Sequence, residues 1–321
     1  MKRREFISLV GGAAAAWPLS ARAQAYPNRP VRVIVPYPPA GGADTTARIM
    51  FGKLGEMWGQ QFVIDNRGGA GGTIGEAAAA KADPDGYTIL HDATAFSVNT
   101  ALYPKLSFDY LKDFQPVFLA SLVPNILLVH PSVLVKTVAD VIALAKTSPG
   151  GLDFASSGNG TLQHLCLEMF RHMTGTKINH IPYRGGGIAL NDLIGGQIKF
   201  FFANGSASIG QIQGGVVKAI AHTGKGRLRT LPDLPTVAET LPGFEAYEWN
   251  GVFVPTGTPA EIIQKLNAGL NDTLRQPDII ARLQSLNIDF HANTPEEFRT
   301  FVTAEMDKWS RVVKEAGIKL G

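Results

Sequence analysis

Three segments of the 321-residue sequence share one design: a short apolar run, a glycine-rich turn, and the opening of a helix-forming stretch. The first turn reads Tyr37-Pro38-Pro39-Ala40-Gly41-Gly42-Ala43-Asp44. The second reads Gly68-Gly69-Ala70-Gly71-Gly72-Thr73, and the third Ser156-Ser157-Gly158-Asn159-Gly160-Thr161. Glycine lets the chain turn tightly and lets a ligand approach main-chain N–H groups. A helix N-terminus adds unpaired N–H donors and a positive dipole end, so each turn is suited to an anion. One such terminus supplies only about 0.3 to 2 kcal/mol, whereas micromolar binding needs about 8 kcal/mol. Several termini, hydroxyl groups and closure of a cleft would have to act together. Each turn taken alone also reads as an ordinary strand-to-helix connection.

Other chemistries find little support. Neither Gly69-x-Gly71 nor Gly158-x-Gly160 completes a dinucleotide fingerprint, since Ile74 and Gln163 stand where the third glycine belongs. The sequence has no phosphate-loop motif, no G-x-S-x-G elbow, no H-E-x-x-H and no paired cysteines. No catalytic residue, metal ion or cofactor is expected. His164, Glu168 and His172 share one helical face, which reads as an exposed or half-buried polar face rather than a metal site. Asp44 would compete with an anionic guest and is expected to turn away or to hold its loop by hydrogen bonds. Arg67 reads as part of a framework ion pair. Tyr37 and Tyr183 are the better aromatic candidates for a cleft, with Trp58, Trp249 and Trp309 reserved for cores.

Residues 1–25 read as an export leader: Lys2, Arg3 and Arg4, then a short apolar stretch, then small residues at Ala21, Ala23 and Ala25. Arg3-Arg4-Glu5-Phe6-Ile7 also resembles a twin-arginine signal, so either export route fits. The apolar stretch is shorter than the roughly 18 residues a membrane span needs, and the expectation is a periplasmic protein without membrane insertion. Removing the leader from 30 basic and 27 acidic residues leaves 26 of each. A formally neutral chain gives no reason to expect a nucleic-acid partner. Cys166 is the only cysteine, which excludes an internal disulfide.

The turns must be positioned by the elements around them. Apolar runs at 31–35, 62–64 and 87–90 alternate with helical spacing at 45–58 and 73–82, giving βα units of a parallel sheet. Residues 45–58 place Ala47, Met50, Phe51, Leu54 and Met57 on one side, and Thr73-x-x-Glu76 fits a capping box. A second series has strands at 126–129, 153–155, 178–181, 198–202 and 216–221, with helices between them. A strand at 251–254 and helices at 260–274, 277–286 and 295–316 follow. The late helices have no evident place in the second series, and packed on the first they would make it discontinuous. The expected division is 26–124 plus 247–321 for one lobe and 125–246 for the other, with crossings near 122–125 and 247–250. The cleft between two such lobes is a usual place for a small ligand.

The sequence resembles the periplasmic receptors of tripartite tricarboxylate transporters, the Bug family, over the whole chain after the leader. The resemblance rests on Tyr26-Pro27-Asn28-Arg29-Pro30, on Asp65-Asn66-Arg67-Gly68-Gly69-Ala70-Gly71-Gly72-Thr73-Ile74-Gly75 and on Asp83-Pro84-Asp85-Gly86-Tyr87-Thr88. It continues through Gly158-x-Gly160-Thr161 with His164-Leu165, through His180-Ile181-Pro182-Tyr183-Arg184-Gly185, and through Gly195-Gly196-Gln197. Leu231-Pro232-Asp233-Leu234-Pro235-Thr236 and Pro255-x-Gly257-Thr258-Pro259 complete the set. It implies a type II periplasmic binding-protein fold, two α/β lobes joined by two crossing strands and closing on a small carboxylate. Carried over, the site would take Tyr37 to Gly42 and Ala70 to Thr73 from one lobe. The other would give Ser156 to Thr161, His164, Tyr183, and Ala203 and Asn204 after the strand ending at Phe202. Two departures bear on the guest: the first turn lacks a hydroxyl residue before Asp44, and Ala203 stands where many relatives carry an acid. The second suggests an unsubstituted organic or aromatic acid.

The resulting expectation is a monomeric receptor that captures an organic, aromatic or dicarboxylic acid and delivers it to a tripartite transporter. An orphan sensor without a cognate transporter and a secreted hydrolase are the rival readings. Genes for membrane subunits beside this one, or turnover of ester and amide substrates, would favour the one or the other.

Overall fold

A computed structural model describes residues 26–103, 105–315 and 317. The expected leader at 1–25 lies outside them. Strand β1 (Val31–Val35) is buried along its length except at Arg32, and Arg32 reaches Asp65 at 2.7 Å. Helix α1 (Gly42–Trp58) follows, three residues longer at its start than the periodicity suggests. Its apolar face, Ala47, Met50, Phe51 and Leu54, is fully buried. Met57 is 39% exposed and does not join that face. Gly59, at φ 63°, ends the helix in the left-handed conformation that favours glycine.

Strand β2 (Phe62–Asn66) leads through a single 3₁₀ turn at Ala70–Gly72 into helix α2 (Thr73–Ala80). The capping box expected there does not form. The Thr73 hydroxyl donates to the Ala70 carbonyl at 2.9 Å, while Glu76 is buried and accepts from Tyr110 at 2.5 Å. Burial of a carboxyl with polar partners has displaced the local cap. Strand β3 (Thr88–Ala93), helix α3 (Ala95–Leu102) and the short helix α4 (Tyr110–Asp113) follow.

The 16-residue strand β4 (Phe114–Val129) organises the sheet. The sequence shows only its last part, because Pro116 and Pro124 interrupt the apolar run and proline cannot donate to a ladder. The register shifts beside Pro116, and Pro124 stands where the pairing partner changes. From Phe114 to Pro124, β4 pairs antiparallel with β9 (Tyr247–Pro255); from Asn125 to Val129 it pairs with β7 (Phe200–Asn204). The remaining elements are α5 (Val138–Thr147), β5 (Leu152–Ser156), α6 (Leu162–Thr174), β6 (Ile178–Pro182), α7 (Gly186–Ile194), α8 (Gly205–Gln213) and β8 (Lys218–His222). Helices α9 (Ala260–Thr273), α10 (Pro277–Ser285) and α11 (Pro295–Glu315) end the chain.

The strand order is β2-β1-β3-β9-β4-β7-β5-β6, with β8 also on β4. The βα units are parallel as expected, and β4 and β9 run antiparallel through the middle. Leu266 and Leu270 of α9 pack with Met50 and Phe51 in one core. Phe298 and Val302 of α11 join Trp249 in a second, and Trp309 and Val313 join Phe154 and Phe170 in a third. Burying each of these large side chains contributes roughly 1.5–3 kcal/mol, and α11 thereby ties the two ends of the sheet together.

Candidate ligand-binding site

The ends of β1, β2, β3, β5, β6 and β7 meet at one cavity of about 910 Å³. Tyr37, Pro38, Pro39, Gly41 and Gly42 of the first turn line it. Ala40 and Asp44 do not. Ala40, at φ 66°, donates its N–H to Asp44 Oδ2 at 2.9 Å, and Asn66 Nδ2 donates to Oδ1 at 3.0 Å. Arg48 completes the pairing at 2.9 Å. Burial pushes the Asp44 carboxyl up, but Arg48, the Ala40 amide and Asn66 outweigh it and hold the group below the usual carboxylate range. Asp44 therefore clamps the loop from behind. Arg67 pairs with Asp65 at 2.9 Å, the framework role expected of it.

Ala70, Gly71 and Gly72 line the cavity, and Thr73 does not, its hydroxyl being spent on the loop. Gly69, Ala70, Gly71 and Gly72 all have positive φ. This run suits glycine; the Gly72 N–H closes the turn on the Gly69 carbonyl at 3.0 Å, leaving the amides of Ala70 and Gly71 as the donors it could offer. Below the turn, Asn99 Nδ2 donates to the Gly71 carbonyl at 3.1 Å.

In the third turn Ser157, Gly158 and Thr161 line the cavity, while Ser156, Gly160 and His164 lie behind it. Ser156 is fully buried; its hydroxyl lies 2.6 Å from His180 Nε2 and accepts from the Gly158 N–H at 3.1 Å. The Gly160 N–H donates to His164 Nδ1 at 3.2 Å. With the Thr161 N–H donating to the Gly158 carbonyl at 3.4 Å, three of the amides expected to face a guest are thus used within the loop. His164 stacks on His180 with ring centroids 4.0 Å apart. The face expected to be exposed or half-buried is buried at His164 and Glu168, because Glu168 is paired with Arg171 and the histidines cover each other. Burial, with His180 and Arg171 nearby, lowers His164 to about 3. No group of three metal-ligating side chains occurs among the described residues.

Tyr37 and Tyr183 both line the cavity with their hydroxyls turned into the frame, Tyr37 donating to Asp92 at 2.9 Å and Tyr183 to Asp192 at 3.0 Å. Ala203 and Asn204 line it at the end of β7. Beneath the first two turns Asp92 and Glu76 are completely buried, and burial raises both carboxyls, Asp92 to about 6.

Sequence reading missed several lining residues. Gly185, ahead of α7, and Gly186 and Gly187, which open it, form a fourth strand–glycine–helix turn after β6, and the same pattern that marked the others would have found it. Arg184, exposed at the rim, is the only basic residue lining the cavity among those described. Gln163 and Glu248 come from α6 and the start of β9, where no turn motif marks them.

The two ends of the sheet touch across the cavity. A Cβ on Gly42 would lie 2.7 Å from Asn204 Nδ2, one on Gly71 3.2 Å from the Asn159 carbonyl, and one on Gly185 3.4 Å from Pro38. Of these only the Gly42 contact is too close for any side chain; those of Gly71 and Gly185 are near van der Waals distance.

A family model described as the tripartite tricarboxylate transporter family receptor matches residues 46–318. The protein BugT of Bordetella pertussis is 36% identical over 318 residues, covering 98% of this chain and 96% of BugT. An R. palustris protein solved with adipate superposes with a TM-score of 0.89 at 35% identity, covering 92% of this chain and 99% of its own. MatC from Rhodopseudomonas palustris, solved with bound malate, gives a TM-score of 0.84 at 31% identity, covering 90% and 100%.

Proposed function

From the premise that this chain belongs to the tripartite tricarboxylate transporter receptor family, a family of solute-binding proteins and not of enzymes, we propose that it captures a small carboxylate between two lobes and delivers it to a tripartite transporter. The observation that carries this reading is the convergence of glycine-rich turns from both ends of the sheet on one cavity. The guest carboxylate would be held by main-chain N–H groups of Gly41 and Gly42 and of Ala70 and Gly71. The opposing wall would contribute Ser157, Gly158, Thr161, Tyr183, Ala203 and Asn204. Such donors bind an oxyanion without an obligatory cation, which suits a cavity whose single basic side chain lies at its rim.

The lobes would be residues 26–124 with 247–321, and 125–246. The exchange of pairing partners at Pro124 and Asn125 supports the first crossing. Export to the periplasm, by either route, would follow from the leader. No helix among the described residues is long and apolar enough to cross a membrane. That relatives have been solved with adipate and with malate points toward organic acids. Mass spectrometry of acid co-purified with the native protein, followed by calorimetric titration, tests the reading; failure of all organic, aromatic and dicarboxylic acids to bind would refute it.

A further inference from the structure

Building on the carboxylate reading above, we propose that Glu248 selects among carboxylates, favouring guests that carry a hydrogen-bond donor, a hydroxyl or an ammonium, over unsubstituted ones. Glu248 lines the cavity from the first residues of β9 and is buried. Gln163 Nε2 donates to its Oε2 at 2.8 Å, which fixes the carboxyl in place. Burial pushes the Glu248 carboxyl up, and the Asn204 amide, which faces it, and Gln163 partly hold it down. The Asn204 amide cannot be reversed, because Oδ1 accepts from the Ala207 N–H at 3.2 Å and from the Ser206 hydroxyl at 2.6 Å. Its Nδ2 is buried without a hydrogen-bond partner and closes on the Gly42 backbone.

Asn204 Nδ2 lies between the Glu248 carboxyl and Gly42, and a guest oxygen beside the first turn would complete its hydrogen bonding. Glu248 then faces the guest close to the carboxylate. With Glu248 ionised, a plain acid sets one carboxylate against another, and the pair is relieved only by a proton taken up between them. A hydroxyl or ammonium near the guest carboxylate supplies the missing donor, and a hydrogen bond to a charged group contributes about 1.5–3 kcal/mol. That is a preference of roughly tenfold or more. The expectation of an unsubstituted acid weighed Ala203 alone; the acid absent from that position is supplied by Glu248.

The test is calorimetric titration of the purified protein with two matched sets: succinate, malate and aspartate; phenylacetate, mandelate and phenylglycine. At least one substituted acid should bind at least about tenfold tighter than its plain parent. Glu248→Leu should erase that preference. Glu248→Gln, which keeps a carbonyl acceptor, should retain a preference for hydroxyl and lose one for ammonium. If the leucine variant does not fold, a crystal structure of the wild-type complex decides: the hydroxyl or ammonium must lie within hydrogen-bond reach of Glu248, and any other position overturns the proposal. Equal affinity within both sets also overturns it and leaves the carboxylate reading standing. If none of the six acids binds, the co-purified acid and its unsubstituted or substituted counterpart are compared in the same way, and equal affinity for that pair overturns the proposal.

Discussion

Gly42 and Asn204, 162 positions apart in sequence, meet across the cavity so closely that a Cβ on Gly42 would stand 2.7 Å from Asn204 Nδ2. Gly42 opens the helix of the first turn, and Asn204 caps the helix after β7. The contact therefore joins the two ends of the sheet at the place assigned to the guest. Gly42→Val should block this approach while α1 still forms, since most of its buried face lies beyond Gly42. Overpacking of this kind costs about 1–3 kcal/mol, so affinity for the best-bound acid should fall roughly 5- to 150-fold. The melting temperature should change little. Titration and thermal unfolding of the same sample check both halves.

Gly71 combines two constraints. Its φ of 66° is costly for a branched residue, and its Cβ would meet Tyr103 Oη at 2.8 Å and the Asn159 carbonyl at 3.2 Å. Gly71→Val should weaken binding severely and, unlike Gly42→Val, also lower stability by about 1–3 kcal/mol. Comparing the denaturant midpoints of the two variants checks the contrast.

Asp92 is an acid whose pKa in the folded protein is pushed up by burial to about 6, against an ordinary 3.8. Its contribution to stability is fully present below about 3.8 and is lost as pH rises through about 6. Asp92→Asn keeps an acceptor for the Tyr37 hydroxyl and cannot ionise. Its stability relative to wild type should rise between pH 4 and pH 8, as the wild type loses what the protonated acid contributes. Urea unfolding of both proteins at the two pH values measures it; a flat difference would contradict the buried-acid account.

His164 and His180 act in the opposite sense. Burial lowers them to about 3 and about 4 from an ordinary 6.5, so their contribution is present above 6.5 and is lost as pH falls toward 3–4. At pH 5 the His164 contribution should be smaller than at pH 7.5 by about 2 kcal/mol. His164→Gln retains an acceptor for the Gly160 N–H, cannot take up the proton, and should show a smaller fall. Thermal unfolding at pH 7.5 and 5 resolves the difference.

Much of this was legible in the sequence because βα turns are local. Glycine at Gly41, Gly42, Gly71 and Gly72 and the apolar runs before them mark strand, turn and helix within a few residues. Residues contributed by tertiary context were not. Glu248 and Gln163 reach the cavity only because β9 and α6 pass beside it, and neither carries a local signal. The amides of Gly158 and Gly160 looked available until Ser156 and His164 were seen to accept from them. Phe114–Pro124 escaped notice because a strand containing two prolines survives only where a bulge and a change of partner excuse the missing donors.

A crystal structure of the protein with its co-purified acid tests the central claim most directly. The account predicts a guest carboxylate within about 3 Å of N–H groups in both the Gly41–Gly42 and the Ala70–Gly72 turns, with Asn204 Nδ2 bonded to the guest from the other side. A guest seated elsewhere, with those turns making no contact to it, would contradict it.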